Sequence, residues 1–238
     1  MQIMHVYSDR IKRSINVRFQ QTVHDEARRR EHLMPLRNRV TPEGEIVADP
    51  ANGTLMGNRG RLHRADESFG APLWTTKAWI ACALSFRGRR REIMAPGSHT
   101  ELFFLDEATA FAAGHWPCAE CRRAAHLGFR ALWEGAFGPA RTPGIDAALH
   151  AARVGRGRTE VVFEAAAETL PDGTMIRTAT GPVLILGPAV LPWGPAGYGA
   201  SCTRPRVSVT VLTPAPLVVL FRAGLRPGLH ATAEGGGT

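Results

Sequence analysis

Cysteine, lysine and long apolar runs are all scarce in this chain of 238 residues. Four cysteines are too few for a disulfide scaffold in a chain of this length, and they suit a reducing compartment, where a cysteine pair is more often metal-binding or redox-active. No run of about eighteen apolar residues is present, so no membrane span is predicted. The N-terminal segment also lacks the apolar core of a signal peptide. These absences together predict a cytoplasmic protein.

The sequence motifs of several common enzyme classes are absent as well. There is no Gly-x-Ser-x-Gly, no His-Glu-x-x-His, no P-loop and no Gly-x-Gly-x-x-Gly after a predicted strand. No motif therefore indicates an α/β-hydrolase, a zincin-type protease, a P-loop NTPase or a Rossmann dehydrogenase. What remains informative is the distribution of charge and the spacing of the cysteines.

Positive charge is concentrated in two segments. The formal net charge is +8 at pH 7; residues 1–40 contain nine Lys/Arg against four Asp/Glu, and residues 59–91 contain eight against two. Residues 92–238 contain twelve of each sign. An acidic partner such as nucleic acid requires a basic surface of this kind. The alternative is a general preference for arginine, since lysine occurs only at Lys12 and Lys77.

The stretch from Gly114 to Arg123, Gly-His-Trp-Pro-Cys-Ala-Glu-Cys-Arg-Arg, indicates a particular chemistry. Cys118 and Cys121 form a Cys-x-x-Cys pair, in which two thiolates point at one centre. Pro117 suits a helix start, so both sulfurs are predicted at a helix N-terminus, where N–H groups and the dipole stabilise thiolate. Half a zinc site has this pattern, and so do a redox dithiol and two reduced cysteines that pack a helix junction.

Zinc is the candidate cofactor, and it needs four ligands in a closed structural site or three in an open catalytic one. Cys82, on a neighbouring predicted strand, is the preferred third ligand, although a buried apolar cysteine is the alternative. His115 is close in sequence and is a further candidate. The predicted metal ligands are therefore Cys118, Cys121, Cys82 and His115.

Residues 100–123, with their strand, Asp-capped helix and Gly-x-x-Pro-Cys-x-x-Cys order, resemble the C-terminal half of the Ada-type metal-binding domain. The resemblance implies that Cys118 and Cys121 supply two of four zinc thiolates and that the domain contacts DNA phosphates. Residues 88–95, where the family has its first cysteine pair, contain no cysteine, so methyl-phosphotriester repair is not implied. The whole chain is also similar to bacterial proteins, and this similarity implies no function for the chain.

The predicted fold class is α+β: a small antiparallel sheet with a helix–Cys-x-x-Cys–helix junction, followed by a mostly β C-terminal part. The sheet is predicted from strands over 79–86, 91–94 and 100–104, with an arginine-studded hairpin turn at 87–90. Asp106 and Gly114 are predicted as the N-cap and the C′ residue of a short helix. The alternation over 207–212 is the clearest strand pattern in the chain.

The predicted organisation has five parts. They are a mobile N-terminal extension over 1–33, an α+β part over 34–134, a connector over 135–158, a mostly β part over 159–230 and a disordered tail over 231–238.

The leading functional prediction is a nucleic-acid-associated binding protein, stabilised by the cysteine junction. Its predicted phosphate contacts are Arg59, Arg61, Arg64, Arg87, Arg89, Arg90 and Arg91. The alternative is an enzyme. It would be either a thiol oxidoreductase that uses the cysteine pair or a metal-dependent nuclease, with Mg²⁺ held by the acidic group His99, Glu101, Asp106 and Glu107.

Overall fold

The computed structural model describes residues 35–70, 72–89 and 92–234, and within them the chain forms two β-sheets and four α-helices. This confirms the predicted α+β class. The predicted N-terminal extension over 1–33 lies outside the described residues, as do Arg90 and Arg91. None of the described helices is long and apolar enough to cross a membrane.

The first sheet has six strands, and two of its pairings are parallel. Its strands are β1 (Arg37–Val40), β2 (Ile46–Ala48), β3 (Leu55–Asn58), β4 (Ile80–Ala83), β5 (Leu102–Phe104) and β6 (Trp116–Pro117), in the order β2-β1-β5-β3-β4-β6. The pairs β1–β5 and β4–β6 are parallel, and the other three pairs are antiparallel. The prediction of a purely antiparallel sheet is therefore wrong for this part of the fold.

The predicted return strand over 91–94 is also wrong in the part that the structure describes, because residues 93–94 form a turn. Met94 has a φ of +57°, which bends the chain away from an extended path. Its N–H donates to Glu101 Oε2 at 2.8 Å rather than to a neighbouring strand. Strand β4 pairs instead with β3 and β6, which are distant in sequence.

Helix α1 (Glu107–Ala112) lies at the centre of the fold, and all six of its residues are buried. Asp106 caps it through Thr109 N–H, and Gly114, at φ +84°, ends it, as predicted. Its small side chains allow close approach from several sides: Ala110 packs on the first sheet, Ala108 and Ala112 on the second. Phe111 packs against the other three helices, which are α2 (Arg123–Phe137), α3 (Thr142–Arg153) and α4 (Ala215–Arg222).

The second sheet contains the remaining strands, and all its pairings are antiparallel. Its strands are β7 (Phe163–Ala166), β8 (Met175–Thr178), β9 (Gly181–Leu186), β10 (Ala189–Gly194), β11 (Gly197–Tyr198), β12 (Cys202–Thr203) and β13 (Ser208–Val211). They lie within the part predicted over 159–230, which also contains helix α4.

Two of the predicted segments contain helical residues in the structure. Helix α3 and the end of α2 lie within the predicted connector over 135–158, and the described residues from Arg37 onward belong to one compact unit. The predicted disordered tail begins with a 3₁₀ turn, Ala231–Ala233, in which Ala233 is buried in the core. Residues 235–238 lie outside the described part of the chain.

Candidate metal centre

A parallel strand pairing brings Cys82 and Cys118 together. Ile80 pairs with Trp116 and Ala81 pairs with Pro117, so the next residue on each strand is a cysteine. The Cys118 N–H donates to the Ala81 carbonyl at 3.0 Å, which extends the pairing to the thiol itself. Because parallel neighbours lie about 4.8 Å apart, this register places the two side chains at the same edge of the sheet.

The turn after Cys118 returns Cys121 to the same place. The Arg122 N–H donates to the Cys118 carbonyl at 3.2 Å and closes the turn. The sulfurs of Cys82, Cys118 and Cys121 all lie within 4.8 Å of one another. Two N–H groups point at them: Ala83 N–H donates to Cys121 Sγ and Glu120 N–H to Cys118 Sγ, each at 3.4 Å. The three cysteines thus form a group that could hold a metal ion.

The predicted position of the cysteine pair at the start of a helix needs correction. Helix α2 begins at Arg123, and Cys118 follows the two-residue strand β6. The sequence favours a helix start because Pro117 suits one. In the fold, Pro117 instead continues a strand at the edge of the sheet, where a residue without an N–H is tolerated. The sulfurs are held by a strand and a turn.

The three thiols affect one another's ionisation. Burial raises the pKa of Cys82, and the adjacent Cys118 and Cys121 raise it further. Burial also raises the pKa of Cys121. Burial opposes ionisation of Cys118 too, but the N–H groups of Cys121 and Glu120 outweigh it and lower the pKa of this thiol. A bound divalent cation would favour the thiolate form of all three cysteines, because its attraction for each negative sulfur outweighs the repulsion among the sulfurs.

His115, predicted as a ligand, is not a member of the cysteine group. Its side chain is fully buried, stacked on Trp79 with ring centroids 5.3 Å apart and tilted against Phe104 at 4.6 Å. Its backbone N–H donates to Ala110 O as helix α1 ends, and this fixes the chain direction. Burial, assisted by the nearby Arg59, lowers the pKa of His115 well below its usual value. This environment favours the neutral imidazole.

The three thiols form part of the wall of a cavity of ≈ 430 Å³. His99 and Glu101 line the same cavity, so two of the four residues of the predicted Mg²⁺ site lie beside the sulfurs. Glu101 is 5% exposed and accepts the Met94 N–H. The cavity leaves open space beside the three sulfurs.

The other two residues of the predicted acidic site are occupied elsewhere. Asp106 caps helix α1, and Glu107 pairs with Arg122 at 2.6 Å and accepts the Gly228 N–H at 2.9 Å. The structure therefore separates the four predicted Mg²⁺ ligands. Within the described ranges, the cysteine group is the one cluster of three or more potential ligands.

The predicted phosphate-binding arginines fall into different environments. Arg87 and Arg89 are exposed, and their guanidiniums lie 5.0 and 5.6 Å from the Phe86 ring, which lines the cysteine cavity. Arg61 is exposed and lines an adjoining cavity that shares His99 and Glu101. Arg64 is also exposed. Arg59, by contrast, is 3% exposed and lies over the Trp79 ring at 4.3 Å.

Sequence reasoning missed the residues around Arg59. Arg153, 3% exposed, and the half-buried Trp74 line a second cavity together with Arg59. Arg153 ends helix α3 in a stretch whose sequence is typical of a flexible basic connector. No local signal distinguishes a buried arginine from an exposed one.

Comparison with known proteins adds no further assignment. No protein-family model matches the chain, and neither a curated protein nor a solved structure is significantly similar to it. The resemblance of residues 100–123 to the Ada-type domain stays a prediction. The best-defined functional feature of the described chain is therefore the geometry of its three sulfurs.

Proposed function

We propose that this protein is a zinc-binding, nucleic-acid-associated protein, in which Cys82, Cys118 and Cys121 hold the zinc ion. The observation that carries the proposal is the convergence of the three sulfurs within 4.8 Å. Tetrahedral zinc, with Zn–S distances of about 2.3 Å, holds its sulfurs about 3.8 Å apart. The separation required by zinc lies within the 4.8 Å that bounds the distances among the three sulfurs. A reducing cytoplasm would keep all three thiols available for the metal.

The arginines around the cavity support the nucleic-acid part of the proposal. Arg89 lines the cysteine cavity and Arg61 lines the one beside it, while Arg87 lies 5.0 Å from the ring of Phe86, which lines the cysteine cavity. Arg89 pairs with Glu120 at 2.7 Å, but both side chains are about half exposed, so the pair is weak and a phosphate can replace the carboxylate. Guanidinium groups bind phosphate oxygens with two donors at once. The zinc ion would fix the strand and turn that carry this basic surface.

The salt dependence of nucleic-acid binding tests this proposal. Replacing Arg61, Arg87 and Arg89 together with glutamine should reduce the slope of log K against log [salt] by about 2–3, because each lost phosphate contact lowers it by about 0.7–0.9. The measurement is fluorescence anisotropy of a labelled duplex and a labelled single strand with the full chain.

A matched control removes the same charge elsewhere. Arg141, Arg156 and Arg206 are exposed and line neither of the two cavities at the cysteine group. The triple glutamine variant at these positions should keep the wild-type slope. Equal slopes for the two triple variants, or no binding by the wild-type protein, would remove the nucleic-acid part of the proposal.

A zinc-dependent nuclease is the second candidate function, and the cavity favours it. Three protein ligands leave one position of a tetrahedral zinc ion for water, as in catalytic sites. Glu101 lines the same cavity and is the candidate general base. Phosphodiester turnover that disappears in Glu101→Gln, with the bound zinc retained, would favour this candidate. Thiol oxidoreductase activity has less support, because Cys118 is 9% exposed and reactive cysteines are accessible ones.

A further inference from the structure

A second cavity, of ≈ 500 Å³, combines positive charge with aromatic walls. Five arginines line it: Arg37, Arg59, Arg153, Arg158 and Arg177. The three carboxylates that line it belong to Glu43, Glu45 and Glu160. Five cations against three anions leave a net charge of +2 around the cavity. Its volume is within the range of small-molecule sites.

Of the two buried arginines that line this cavity, Arg153 pairs with a carboxylate and Arg59 does not. Its guanidinium donates to two main-chain carbonyls, Gly44 O at 2.8 Å and Ala113 O at 3.5 Å, and its Nε–H is buried without a partner. A buried cation is costly unless it is paired. Burial, together with the charge of Arg153, lowers the pKa of Arg59 to about 9. An anion in the cavity would offset that cost.

Arg153 lies close to Arg59 and is only partly neutralised. Its Nη1 donates to Glu160 Oε1 at 2.7 Å, but Glu160 also pairs with Arg177 at 2.5 Å, so one carboxylate serves two cations. The two buried guanidiniums converge at Gly44, where an added Cβ would lie 2.9 Å from Arg153 Nη2 and 3.4 Å from Arg59 Nη2. With its φ of +78°, Gly44 lets the main chain pass close to both groups.

The rest of the wall suits a flat, apolar group. Trp74 and Trp79 line the cavity with their rings 6.1 Å apart, and Trp79 is covered by Arg59 on one face. Arg158, which is exposed, lies 5.3 Å from the Trp74 ring. Leu73 adds an exposed apolar side chain at the rim. Aromatic and guanidinium planes of this kind stack on planar rings.

We infer that this cavity binds a small phosphate monoester that carries a planar ring. The phosphate faces Arg59 and Arg153, and the ring lies against Trp74 and Leu73 under Arg158. A phosphate monoester has a second pKa of about 6, so at pH 7.5 it is mainly a dianion and matches the net charge of +2. This site is separate from the cysteine cavity, since no residue lines both, and it does not depend on zinc.

Phenyl phosphate is the probe, titrated into the full chain at pH 7.5 with calorimetry and tryptophan fluorescence as readouts. We expect saturable binding that is at least about tenfold tighter than that of inorganic phosphate, which lacks the ring, of benzoate, which lacks one charge, or of phenol, which lacks both charges. Arg59→Gln should weaken binding at least about tenfold, and Arg158→Gln about three- to tenfold, because each removes a cation at the site.

Arg156→Gln is the control, because Arg156 is an exposed arginine of the same 3₁₀ turn as Arg158 and does not line the cavity. It should bind phenyl phosphate as the wild type does. If Arg59→Gln does not fold, Arg158→Gln still tests the site, since its side chain is exposed. Absence of saturable binding, equal affinity for phosphate and phenyl phosphate, or wild-type affinity in Arg158→Gln would overturn the assignment.

Discussion

The Cys118→Ser variant, purified without chelators, is expected to contain less than about 0.1 zinc per chain, against about one for the wild type. Serine keeps the size of the side chain but offers a poor zinc ligand. Cys118 also has the central position, because its neighbours on the strand and in the turn supply the other two sulfurs. Metal content by mass spectrometry is the measurement. Far-ultraviolet circular dichroism shows whether the fold survives.

Cys202→Ser is the matched control for this loss. Cys202 is a free, exposed cysteine on strand β12, outside the cysteine group. Its replacement should leave the zinc content at the wild-type value. A Cys118→Ser protein that keeps its zinc, or a Cys202→Ser protein that loses it, would contradict the proposed ligands. Equal loss in Cys82→Ser and Cys121→Ser is expected, because a tetrahedral site that loses one of its three thiolates binds zinc far more weakly.

The Asp106→Ala variant should lose about 3–5 kcal/mol of the free energy of unfolding, because it removes the acceptor of three buried hydrogen bonds and one part-buried one. Oδ1 of this 1%-exposed residue accepts the Thr109 N–H at 2.9 Å and the Thr109 hydroxyl at 2.8 Å. Oδ2 accepts the Tyr198 hydroxyl at 2.7 Å and the His230 N–H at 3.1 Å. One carboxylate thereby joins helix α1 to strand β11 and to the C-terminal segment.

Urea unfolding at pH 7 measures this loss, and Asp172→Ala is the control. Asp172 is an exposed aspartate that accepts a single N–H, from Gly187 at 2.7 Å. Its removal should cost about 1 kcal/mol or less. If Asp106→Ala lowers the free energy of unfolding no more than Asp172→Ala does, the buried carboxylate does not stabilise the contact of helix α1 with strand β11 and the C-terminal segment.

Features that depend on neighbouring residues could be predicted from the sequence, and features that depend on pairing between distant strands could not. The ends of helix α1 follow from Asp106 and Gly114 because caps depend on residues within one turn. Cys82 could be named as the partner of Cys118 and Cys121 by residue type. The parallel register that unites them joins segments about 36 residues apart, and no local pattern encodes it.

The burial of Arg59 and His115 could not be predicted from the sequence. Both residue types are usually placed on surfaces or in sites, yet here both are buried beside Trp79. Arg59 donates to the carbonyls of Gly44 and Ala113, and His115 packs against Trp79 and Phe104, so the burial of each depends on residues outside its own turn or strand. Sequence reasoning placed Arg59 with the exposed phosphate contacts because it sees the charge of a residue and not what covers it.

X-ray absorption at the zinc edge of the purified full-length protein tests the three-cysteine zinc site most directly. We predict three sulfur neighbours at about 2.3 Å and one nitrogen or oxygen neighbour at about 2.0 Å. A zinc ion surrounded only by nitrogen and oxygen, or a properly folded wild-type protein that binds no zinc, would contradict this site.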